Sequence, residues 1–167
     1  MQRFVVLLAV LLASLGFPVA AQSQQPRVLV FSKTAGFRHI SIPIGIATIK
    51  KLGQENGFSV DATEDAGAFT SKNLARYGAV VFLNTTGDVL DAAQQDDFER
   101  YIQAGGGYVG VHSATDTEYD WPWYGRLAGA WFTSHPNNPN VRKGTSRVLD
   151  TSPPPPAALP DRRDRAA

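Results

Sequence analysis

Three histidines are the only imidazoles in this 167-residue chain, and the chain has no cysteine. His39 closes the polar segment Lys33-Thr-Ala-Gly-Phe-Arg-His39. His112 stands in Gly105-Gly-Gly-Tyr-Val-Gly-Val-His112-Ser-Ala-Thr-Asp116, where an apolar run gives way to polar residues, and His135 lies in Ser134-His135-Pro136. Two chemistries fit these types. His112 and His39 can act as a proton-transfer pair, since an unperturbed imidazole titrates near neutrality, with Asp116 as the carboxylate that orients them. Alternatively His39, His112 and His135, with Asp116 or Glu118, can hold a divalent metal, Zn²⁺ first among them, at about 2.0–2.1 Å from neutral nitrogens. No His-Glu-x-x-His or similar spacing selects a ligand set, so both readings stand. The absence of cysteine excludes disulfides, thiolate metal sites and a cysteine nucleophile.

Ser113 beside His112 suggests a serine nucleophile, but a nucleophile elbow has the form Gly-x-Ser-x-Gly and the serine here is one position off. Its hydroxyl is assigned to substrate binding. Asn84, Thr85 and Asp88 form a second small polar cluster after an apolar run and read as hydroxyl binders. Trp121, Trp123, Tyr124, Trp131 and Phe132 make the densest aromatic stretch, a sugar-stacking wall in one reading and core packing in the other. Trp121, Trp123 and His135 join the expected substrate-binding set. Residues 105–107 are glycines that precede a strand, whereas phosphate-binding glycines follow one, so they read as a turn.

Positioning these residues requires a sheet. Short continuous apolar runs at 27–32, 79–83 and 108–111 suit strands covered on both faces, and 58–62 is a fourth. Between them lie helical patterns. One starts at Ser41 with Pro43 in its first turn and ends at Asn56-Gly57, a short one is led by Thr70 or Ser71, and one is capped by Asp91 and runs to about Ala104. A short helix through Leu127 and a strand at 145–149 follow. Strands alternating with helices predict an α/β fold with a doubly wound parallel sheet. In such a sheet ligands bind beyond the carboxyl ends of the strands, which is where His39 and His112 fall.

Arg3, an apolar run over 4–17 and Pro18-Val-Ala-Ala21 predict a cleaved secretory signal peptide over 1–21, because the run falls short of the roughly 20 residues a membrane span needs. The mature protein is expected to be periplasmic or secreted, with no stable membrane anchor. A formal charge of +1 gives no basic footprint for nucleic acid. The domain is expected over 22–150. Beyond it Pro153-Pro-Pro-Pro156 and an arginine-rich end predict an extended or disordered tail over 151–167.

Three blocks in order, Val28-Leu-Val-Phe-Ser-Lys-Thr-Ala-Gly-Phe-Arg-His39, Gly105-Gly-Gly-Tyr-Val-Gly-Val-His-Ser-Ala114 and Trp123-Tyr-Gly-Arg-Leu-Ala-Gly-Ala-Trp-Phe132 leading to His135, resemble the ThuA-like family, named for trehalose utilisation. The resemblance spans residues 28 to about 149. It implies a flavodoxin-like fold related to class I glutamine amidotransferases, and a small-molecule carbohydrate, a disaccharide or its keto derivative, as substrate. Those amidotransferases carry cysteine after this strand; here His112 stands at what looks like the matching position, so thiol amidotransfer is excluded. The family domain continues where this chain turns to proline, which reads as a truncation or frameshift after about Asp150 and an incomplete sheet. A non-catalytic carbohydrate-binding module, or an inactive fragment of a larger ThuA-like protein, is the alternative to an enzyme.

Overall fold

A computed structural model of the chain describes residues 25–136, together with 138 and 143. The expected signal peptide, the 145–149 strand and the proline-rich tail lie outside the described residues.

Four parallel strands form one sheet in the order β2-β1-β3-β4: β1 Arg27–Phe31, β2 Ser59–Thr63, β3 Ala79–Leu83 and β4 Gly107–Val111. Register is continuous across the central pair, with Val30 opposite both Ala62 and Val81, and Val81 opposite Val109. β1 and β3 are buried as their unbroken apolar runs predict. β4 is not. Among the described residues it is an edge strand, with Val109 47% exposed, so its apolar run is half-covered there rather than doubly buried.

The helices are α1 Ile42–Asn56, α2 Ser71–Leu74, α3 Ala92–Gln103 and α4 Pro122–Ala128. α3 starts at a capping box, Asp91 accepting from the Gln94 N–H while the Gln94 side chain accepts from the Asp91 N–H. α1 ends at Gly57, whose left-handed φ of 73° needs a residue without Cβ. Ser41 departs from expectation: its hydroxyl does not cap α1 but accepts from the Asn84 side chain at 3.0 Å.

The two faces of the sheet differ. One carries an aromatic core in which Phe82 packs on Phe31, Phe69, Phe98, Tyr108 and Tyr124. The other is a small aliphatic cluster of Val30, Val81 and Leu83 under Ile46 and Ile49 of α1. Among the described residues no helix is long and apolar enough to cross a membrane.

Candidate functional site

The carboxyl edge of the sheet is built outward from the end of β3. Asn84, Thr85 and Thr86 leave that strand buried, and the Thr86 carbonyl accepts from the Ala35 N–H at 2.7 Å and the Gly36 N–H at 3.3 Å. The Thr86 hydroxyl donates to the Phe37 carbonyl at 2.9 Å. The loop after β1 is thereby fixed to β3. On the other side the Gly87 N–H donates to the Asp116 carbonyl at 2.8 Å, tying down the segment after β4. Gly87 has a φ of 71°, and a Cβ there would stand 3.1 Å from that of Ala35, so the three exits close together only around glycine.

This arrangement brings two of the three histidines together. His39 Nε2 and His112 Nε2 are 3.1 Å apart, with ring centroids 4.7 Å apart and planes at 85°. β1 and β4 are not neighbours, as β3 lies between them, so convergence depends on the long β1 loop reaching across. The Ser113 hydroxyl lies 3.4 Å from His39 Nδ1. His112 is the first residue after β4 and has a φ of 53°, in the left-handed region. Asn84 and Glu118, with φ of 53° and 56°, are the other described non-glycine residues held there. All three lie at this edge of the sheet, and strained backbone concentrates where the surrounding structure over-determines it for a purpose.

Only one proton can lie between two ring nitrogens that face each other, so one imidazole donates and the other accepts. Partial burial, and then the neighbouring His112, lower the His39 pKa below the ordinary imidazole range, while Asp116 opposes the shift. That shift favours the neutral form of His39. Asp116 Oδ1 accepts from the Tyr119 hydroxyl at 2.6 Å.

The pair opens into a pocket of about 500 Å³ lined by Phe37, His39, His112, Ser113, Thr115, Asp116, Phe132 and His135. Phe37 is 70% exposed and Phe132 36%, so two aromatic faces stand open to water beside the imidazoles. Phe37 and Thr115 belong to this lining although sequence reasoning did not single them out. The signal for Phe37 was its place two residues before His39.

Several expected site residues lie elsewhere. Thr85 is fully buried and hydrogen-bonded to Thr117 at 2.8 Å, which leaves its hydroxyl no access to substrate. Trp121 and Trp123 stack on each other and pack on Phe98 in the aromatic core, because α4 turns that face inward; they form no wall of the pocket. Asn84 is buried and faces a separate groove shared with Ser41, Ile44, Leu83 and His112. Asp88 is exposed and lines neither. His135 lines the pocket, but its Nδ1 lies 3.2 Å from the Pro136 carbonyl oxygen and it does not join the other two. Among the described residues no three histidine, cysteine, aspartate or glutamate side chains gather as a metal-binding group, so the three-histidine set is not assembled.

Glu118, placed by its sequence beside Asp116 as a candidate ligand, is 1% exposed. Its Oε1 accepts from the Val89 and Leu90 N–H groups, both at 2.8 Å, and Oε2 accepts from Gln95 Nε2 at 2.6 Å. Burial raises its pKa against the pull of those three donors. It clamps loops together beneath the site.

With this geometry in place, residues 27–166 match the family described as ThuA, trehalose utilisation. The chain belongs to the ThuA family. The match starts one residue before β1's Val28 and runs past Asp150 into the proline-rich segment, farther than the three sequence blocks reach. A ThuA-like protein of known crystal structure from Bacteroides uniformis is 28% identical, with a TM-score of 0.53, over 68% of this chain and 48% of that one. The ThuA chain thus spans about half the length of this solved relative. No curated protein matches it. The family's description, trehalose utilisation, points toward carbohydrate.

Proposed function

We propose that this ThuA-family chain transforms a carbohydrate, a disaccharide or its keto derivative, by proton transfer at the His39–His112 pair. The observation that carries the reading is the 3.1 Å approach of two imidazoles from two strand exits at the mouth of an open pocket. A carbon beside a keto group releases its proton to a neutral imidazole, and the lowered pKa of His39 favours that form. The carbonyl oxygen, becoming an enol, takes a proton from His112. Asp116 supports the positive charge that His39 gains, and the pair as a whole keeps its charge, taking one proton from carbon and giving one to oxygen. Phe37 and Phe132 offer apolar ring faces to the C–H faces of a sugar, and about 500 Å³ falls within the range of small-molecule sites, roughly 300–1,000 Å³.

Incubating wild-type protein and His112→Ala with trehalose and with a 3-keto-glycoside tests this reading. Product is expected from wild type, with a loss of about 10²–10⁴-fold in the variant, the usual contribution of a positioned acid or base. Equal sugar binding by both proteins with product from neither replaces the enzyme with a carbohydrate-binding module. We further propose export, on the strength of the apolar run over 4–17 and Ala20-Ala21. The mature chain recovered outside the cytoplasm is expected to begin at Gln22; a retained Met1 would refute cleavage.

A further inference from the structure

Tyr119 lies outside the pocket lining, yet its hydroxyl makes two short contacts to residues that line it. It stands 2.6 Å from Asp116 Oδ1 and 2.7 Å from the Phe132 carbonyl oxygen. A phenol has one proton, and both partners are acceptors when Asp116 is ionised, so a single proton bridges the carboxylate and the backbone of the next segment. The same junction is reinforced on both sides. The Phe132 N–H donates to the Thr115 carbonyl at 2.8 Å, and the Tyr119 ring stacks on Trp131 with centroids 6.3 Å apart and planes at 25°.

What these contacts hold is functional on either side. Asp116 and Phe132 both line the pocket, as does His135 three residues further on. Residues 131–136 form neither helix nor strand, so their position depends on such tethers rather than on a ladder of backbone bonds. We propose that Tyr119 is the positioning residue of this pocket: its shared hydroxyl proton holds the Asp116 carboxylate toward the histidine pair and the Phe132 wall against the pocket at the same time. The carboxylate that acts on His39 and the aromatic face beside the pocket then move as one unit. The phenol itself stays protonated, its pKa pushed up to about 12 by burial and by Asp116.

The inference deepens the proposed function, since it concerns the same pocket, but its test needs no turnover and the two fail separately. Tyr119→Phe removes the hydroxyl and keeps the ring on Trp131. In the full chain, NMR titration of His39 and amide exchange at Phe132 read the two arms of the bridge. The His39 midpoint is set by burial, His112 and Asp116. In Tyr119→Phe it is expected to fall by about 0.2–0.7 pH unit as the carboxylate swings free, the equivalent of a surface ion-pair interaction. The Phe132 N–H keeps its own bond to the Thr115 carbonyl, but its exchange is expected to quicken by about tenfold because the segment opens more easily once the hydroxyl bond to the Phe132 carbonyl is gone. Asp116→Asn supplies the control. It removes the charge but leaves an amide oxygen for the hydroxyl, so the His39 midpoint falls while Phe132 keeps its protection. An unchanged His39 midpoint together with unchanged Phe132 exchange in folded Tyr119→Phe overturns the proposal, as does loss of Phe132 protection in Asp116→Asn alone.

Discussion

His112 occupies a backbone conformation that favours glycine, with a φ of 53°, and the left-handed region costs other residues about 1–2 kcal/mol. The cost places an imidazole at the tip of β4 facing His39. Replacing it separates strain from chemistry: His112→Gly is expected to be more stable than His112→Ala by about 1 kcal/mol in denaturant unfolding, with both variants inactive. Equal stability would mean that the turn carries no strain. His39 makes a pH prediction. Its folded pKa lies below the unfolded value of about 6.5, so the unfolded chain binds the proton more readily. His39 therefore leaves stability untouched well above that value. Stability is lost as pH falls through the window down to the lower folded pKa, and the loss is complete below it. Unfolding free energies measured from pH 8 to 5 are expected to fall more steeply for wild type than for His39→Gln. These residues were legible because histidine is scarce here and two of the three follow apolar runs. Trp121 and Trp123 stayed ambiguous between sugar-stacking wall and core, because an aromatic cluster looks the same in sequence whether the chain turns it inward or outward.

The elements around β3 show why part of the site could not be read in advance. Strands β1 and β3, the Asp91 cap and the Gly57 stop each follow from local pattern, and each stands where pattern puts it. The closure of the three exits does not, because it depends on hydrogen bonds between residues dozens of positions apart, such as Thr86 to Ala35 and Phe37. Glu118 is the sharpest case. In an acidic run with Asp116 and Asp120 it looks solvated, but a φ of 56° turns its carboxylate into the interior to accept from the loop after β3 and from α3. Glu118→Ala leaves two buried backbone N–H groups without acceptors and is expected to cost about 2–4 kcal/mol. Glu118→Gln keeps the oxygen facing Val89 and Leu90 but sets an amide donor against the Gln95 amide, and is expected to cost about half as much. Chemical denaturation of both variants checks the order; equal, small losses would remove Glu118 from the role of clamp.

At the scale of the molecule, the unequal faces of the sheet divide its stability from its exposure. Phe82 sits at the centre of the larger core, fully buried, with five aromatic rings within 5.4–5.8 Å. Tyr124 is one of those rings, and its hydroxyl donates to the Ala114 carbonyl at 2.7 Å, two residues from His112. The aromatic core thus supports the turn that presents the His112 imidazole, and loosening it should be felt at the pocket. Val109 is the opposite case: among the described residues it is on edge strand β4 and 47% exposed, so substitution there removes little buried area. Phe82→Ala is expected to cost about 3–5 kcal/mol, as large aromatic truncations in cores do. Val109→Lys is expected to change stability by less than about 0.5 kcal/mol. Unfolding followed by tryptophan fluorescence measures both, and the His39 titration reports the site. Phe82→Ala is expected to disturb that titration while the protein is still folded, and Val109→Lys to leave it unchanged. The reverse pattern would place the support for His112 on the α1 face of the sheet instead of in the aromatic core.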